Sequence, residues 1–131
     1  MSIAVTDLMA LAQQLAATGN CECEWRSGAS RAYYGAFHKS LQVADACLPP
    51  NPQAIGEHER LTDRLKQQGM KGRALAYVLI DLKKVRTHAD YHLAASFSQN
   101  DATDLLAGCA AYLPKTDAFQ AFVQAGQTAK P

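Results

Sequence analysis

The apolar positions of this chain recur every three to four residues in long stretches and show no sustained one-in-two alternation, so they predict helices and no strands. Leu8, Leu11 and Leu15 mark a first helix from Asp7 to about Ala17, with Thr6 as cap and Gly19 as stop. A second helix, near Asn20 to the Pro49-Pro50-Asn51-Pro52 connector, is bounded by prolines that remove backbone donors. Its seam is Ser27, Ser30, Tyr34, Phe37, Leu41, Ala44 and Leu48, widened by Tyr33. A short charged third helix covers about Gln53 to Gln68 through Ile55, Leu61 and Leu65, and Gly69-Met70-Lys71-Gly72 ends it. A fourth runs from about Arg73 to Ala95 on a stripe of Leu75, Leu79, Leu82, Ala89 and Leu93. After the Ser98-Gln99-Asn100-Asp101 loop and cap, a fifth starts near Ala102 with Leu105, Leu106, Cys109 and Leu113. Pro114 is expected to break or kink it, with Thr116 or Asp117 capping a last segment of Phe119, Phe122 and Val123. The order predicts one all-α domain over residues 1–131, an antiparallel up-and-down bundle of four to five helices. Its core spans about 7–125, and 126–131 is expected to fray.

Several polar residues sit where such a pattern does not expect them. At about 100° per residue, Arg86 lies within about 40° of Leu79 and Leu82, in the middle of the fourth stripe. Asp90 is one turn on and can pair with it. His92 falls near Val78 and Val85 at the stripe's edge, while Arg31, His38 and Asp45 form a polar ribbon beside the second seam. An arginine at a core position costs free energy unless it is paired. Arg86 therefore has three readings: a structural pair with Asp90, a cleft shared between copies, or a phosphate site using the planar fork of donors. Metal-free RNA cleavage needs one group to take the 2′-hydroxyl proton, one to protonate the leaving oxygen, and a cation for the developing charge. Arg86, His92, Arg31 and His38 contain those group types. His88 and His92 have metal-compatible spacing, but no HExxH pattern accompanies them, so no metal is assigned. No Gly-rich phosphate loop, dinucleotide fingerprint or Ser-centred elbow is present, and no cofactor is expected.

Composition narrows the class without naming a partner. At 131 residues and 48% hydrophobic, the chain can bury a core, which argues against disorder. No apolar run is long enough to span a bilayer, and Met1 to Asp7 lacks a basic n-region and an apolar h-region. The expectation is a cytoplasmic protein without membrane contact, with Cys21, Cys23, Cys47 and Cys109 reduced. Net charge is +1, but Ala54 to His92 holds eight Lys/Arg against five acids, which is +3 there and −2 elsewhere. That bias permits an anionic ligand.

Ser30-Arg31-Ala32-Tyr33-Tyr34-Gly35-Ala36-Phe37-His38 and Arg86-Thr87-His88-Ala89-Asp90-Tyr91, with the His58 helix between them, resemble the HEPN superfamily. These are small helical domains of prokaryotic toxin–antitoxin and nucleotidyltransferase systems. The resemblance is close from Cys21 to Leu93 and elsewhere follows helix order. It implies a HEPN-type bundle that forms a homodimer, and many members are metal-independent ribonucleases with an Arg, four to six residues, then a His. Arg86, five residues, His92 has that spacing. The resemblance thus implies an endoribonuclease, the toxin of a toxin–antitoxin or defence pair, in which Arg86 binds the scissile phosphate and His92 moves protons. Arg31, His38, Tyr34, Asp90 and Tyr91 would contact the RNA substrate. The alternative it implies is a non-catalytic subunit that binds nucleotide beside a nucleotidyltransferase or antitoxin partner.

Overall fold

A computed structural model describes residues 2–129. Its helices are α1 (Val5–Thr18), α2 (Glu22–Cys47), α3 (Glu57–Lys66), α4 (Gly69–Tyr91) and α5 (Gln99–Ala129). Among the described residues there is no strand, and the architecture is the expected all-α helical bundle. No helix among them is long and apolar enough to cross a membrane.

Helix α2 is the central element and packs against each of the other four. Its small residues explain this: Ala29, Ala32, Ala36 and Ala44 are all buried and let neighbours approach closely on more than one side. The buried surface is therefore wider than the expected seam, with Ser27 exposed and Tyr34 and Leu41 only half buried. Tyr33, Phe37, Leu61, Leu79 and Tyr112 fill the centre. The Ser40 and Tyr112 hydroxyls pair at 3.1 Å, so neither buried oxygen is left without a partner.

Helix ends depart from the sequence reading for local reasons. Asp7 accepts the Ala4 amide at 2.7 Å, so α1 begins two residues earlier and Thr6 lies inside it. Arg60 holds the carbonyls of Gln53 and Ile55, which keeps that stretch out of α3. Gly69 does not end a helix but opens α4, with φ +75, a conformation that only glycine adopts without strain. Gly72 lies inside α4, where an added Cβ would strike the Leu65 carbonyl at the end of α3.

Two expectations are overturned. Pro114 does not break the last helix: α5 is continuous from Gln99 to Ala129. Pro114 is exposed, as are Ala110 and Ala111 behind it, so the carbonyl left without its donor faces water instead of the core. Thr116 caps nothing; its buried hydroxyl donates to the Leu113 carbonyl at 2.6 Å. The helix is capped at its start, as expected, where Ser98 and Asp101 bond reciprocally at 2.9 and 3.0 Å. Residues 126–129 continue α5, and the remainder of the predicted frayed tail, Lys130 and Pro131, lies outside the described residues. The second correction is at α4, which stops at Tyr91, leaving His92 and Leu93 outside the helical stripe.

Candidate functional site

Three arginines are buried, and two of them explain where helices stop. Arg26 of α2 directs Nη1 to the carbonyls of His88 and Ala89 at 3.3 and 2.9 Å, and Nη2 to those of His92 (3.2 Å) and Ala95. Its Nε lies 3.4 Å from Glu22, whose other oxygen accepts the Phe97 amide, and its guanidinium stacks over the Phe97 ring. The carbonyls at the end of α4 thus fan around one cation, which satisfies them without another helical turn. Arg64 does the same at the end of α2, donating to Pro49 and Leu48 carbonyls at 2.9 and 3.3 Å and to Asp45 at 2.8 Å. Asp45, the last member of the predicted polar ribbon, is therefore engaged structurally.

Arg86 is the third, and only 5% exposed. The α4 stripe carries it inward against Ser30, Tyr33 and Tyr34 of α2. Its one polar partner is Asp90, Nη1 to Oδ2, at a long 3.4 Å. Its Nε is buried with no acceptor. The guanidinium carbon lies 5.3, 5.5 and 5.8 Å from the ring centres of Tyr33, Tyr34 and Tyr91. Cation–π contact holds the charge in place but satisfies no N–H donor.

A second cation adjoins it. Ser30 donates to the same Asp90 oxygen at 3.2 Å, and Arg31 Nη2 donates to Ser30 Oγ at 3.4 Å. The Arg31 guanidinium carbon stands 5.3 Å from the Tyr34 ring, so Arg31 and Arg86 share that tyrosine. A groove of about 340 Å³ beside Asp90 is lined by Arg26, Ser27, Ser30, Arg31, Asp90 and Leu93; Arg86 does not line it.

The structure adds residues to this group that sequence reasoning did not place there. The Tyr33 hydroxyl meets His58 Nδ1 at 2.7 Å. Burial raises the Tyr33 pKa, so its oxygen keeps its proton and donates it. Burial above all, then the charges of Lys83 and Arg86, lower His58 to about 4. His58 is thus a neutral imidazole accepting at Nδ1 and carrying its proton on Nε2. It stacks on Phe37 and Tyr33, with ring centres 4.4 and 5.5 Å away. A signal was present: His58 stands three residues before Leu61 and seven before Leu65, on the inward stripe of α3.

Of the residues expected at the site, Arg86, Arg31, Tyr34, Asp90 and Tyr91 come together. His38 is close, its ring 6.3 Å from Tyr34, on the exposed edge of α2. His92 is apart. It is exposed, just past the end of α4, with Nδ1 3.2 Å from His88 Nδ1, and no described contact joins it to Arg86. Among the described residues no third His, Cys, Asp or Glu completes a metal-binding group with that pair.

No protein family, curated protein or solved structure matches the chain in comparison.

Chemically, the group offers a buried guanidinium with spare donors, a second guanidinium, and Lys83 close enough to act on His58, against two carboxylates, Asp90 and the Glu57 that also acts on His58. That excess of positive charge in a poorly solvated place suits a phosphate, whose oxygens can take both arginine forks.

Proposed function

We propose that this chain is a HEPN-type helical module that binds the phosphate of RNA or of a nucleotide at Arg86 and Arg31. One observation carries the reading: the Arg86 guanidinium makes a single long hydrogen bond, to Asp90, while the two other buried arginines spend both terminal nitrogens or the Nε on helix-end carbonyls, although the Nε of Arg26, like that of Arg86, has no hydrogen-bond acceptor. The Arg86–Asp90 contact is long, and Asp90 is shared with Ser30, so an incoming phosphate competes with a weak bond. A labelled oligoribonucleotide titrated in EDTA tests this. Arg86→Ala should weaken binding at least about tenfold. Equal binding by that variant sinks the proposal.

A second reading, metal-independent ribonuclease and toxin, is favoured by a different observation. Val85, Tyr91 and Leu93 are exposed around the end of α4, and Tyr91 contacts Arg86 directly. A homodimer that covered this end would place two Arg86 and two His92 in one cleft. The 2′-hydroxyl would then attack phosphorus as its proton leaves, the 5′-oxygen would depart with a proton, and a 2′,3′-cyclic phosphate would remain. The same titration, run out on a gel, separates the readings. Cleavage by wild type and not by His92→Ala would favour the nuclease. An antitoxin or nucleotidyltransferase partner belongs to either reading.

A further inference from the structure

Arg31 borders a second cavity. It measures about 480 Å³ and lies between the start of α1 and the middle of α2. Ile3, Val5 and Leu8 form an apolar wall, and Arg31, His38 and Gln42 face them across the Tyr34 ring. His38 and Gln42 have no hydrogen-bond partner among the described residues, and Arg31 has only Ser30 at 3.4 Å. An apolar wall opposed by a few polar groups with spare capacity is the usual build of a small-molecule site, and the volume falls in the usual range of about 300–1,000 Å³. The start of α1 supplies no anion site of its own, because Asp7 already takes the Ala4 amide.

Position sets what would fill it. The Arg31 guanidinium lines both this cavity and the groove beside Asp90. Arg86 lines neither space, but its guanidinium and that of Arg31 both lie against the Tyr34 ring that lines the cavity, so a ligand whose phosphate is held at Arg31 would continue into the cavity past that ring. A flat heteroaromatic group suits that space: one face on Leu8 and Val5, its edge within the class of groups that the Gln42 amide can both donate to and accept from. A sugar phosphate or a lone inorganic anion would leave the apolar wall unused.

We propose that this cavity receives the nucleoside part of a nucleoside phosphate, free or as one residue of RNA, whose phosphate is held by Arg31 and Arg86. The proposal rests on the phosphate-binding reading above and adds to it where the base goes.

The test uses calorimetric titration of the full chain with pyrophosphate, with each of the four nucleoside monophosphates, and with a short single-stranded oligoribonucleotide. The variants are Gln42→Ala, at an exposed position, and Leu8→Trp, which fills the cavity; each is first checked for a wild-type unfolding transition. At least one monophosphate, or the oligonucleotide, should bind about tenfold tighter than pyrophosphate, and both variants should lose that advantage while keeping pyrophosphate affinity. An advantage seen with a monophosphate identifies a free nucleotide as the ligand; one seen only with the oligonucleotide identifies RNA. If pyrophosphate binds as well as every nucleotide, or if Gln42→Ala keeps the full advantage, the cavity proposal is overturned and the phosphate site stands. If folded wild type binds neither pyrophosphate nor any nucleotide, both fail.

Discussion

Arg26 and Arg64 are 7% and 8% exposed and Arg86 is 5%, so burial alone does not distinguish the three. Their partners do. Arg26 meets four carbonyls and a carboxylate, and Arg64 meets two carbonyls and a carboxylate. Each replaces the water that the end of a helix would otherwise need. Arg86 meets one carboxylate at long range and three aromatic rings. Desolvating a guanidinium costs the same in either setting, and the first setting returns it in three or four hydrogen bonds where the second returns one long one. The first pair of arginines fixes the fold, whereas the third leaves binding capacity unspent.

The comparison is easiest to break at Arg26. Arg26→Ala should lower unfolding free energy by about 3 kcal/mol, since the end of α4 is left with unsatisfied carbonyls. Arg64→Ala should follow with about 2 kcal/mol, because much of the connector it holds can reach water. Urea unfolding measures both. Arg86→Met with Asp90→Asn should change stability by less than about 1 kcal/mol, since the pair is replaced by groups of similar volume, while phosphate binding is lost. A large loss of stability there would return Arg86 to a structural role.

A smaller effect sharpens the picture at His58. Its folded pKa, about 4, lies below the ordinary 6.5, so the folded state binds the proton less readily than the unfolded chain. The sign follows: its contribution to stability is complete above pH 6.5, declines as pH falls, and is gone below about 4. Urea midpoints measured across that window should fall with pH in wild type and fall less steeply in His58→Gln. Identical slopes would mean that His58 is not held neutral against Tyr33.

Much of this was legible in the sequence, but unevenly. The helices and their order follow from the period of Leu and Ala positions, and Arg86 with Asp90 from spacing alone. Tyr34, Arg31 and His38 follow from the face of a single helix. The rest depended on distant contacts. Nothing near His92 says that α4 ends before it; that is set by Arg26, more than sixty residues earlier in the chain. The continuity of α5 past Pro114 depends on which side of the helix meets water. His58 was readable as an inward position, but its partner, Tyr33, was hidden among core aromatics.

The most direct test sets Arg86 against Arg64 in one experiment, the shift in thermal unfolding midpoint on adding pyrophosphate. A ligand that binds only the folded chain raises that midpoint. The account predicts a rise in wild type and an equal rise in Arg64→Ala, from its lower starting point, with none in Arg86→Met. A rise of the same size in Arg86→Met, or no rise in folded wild type, would contradict it.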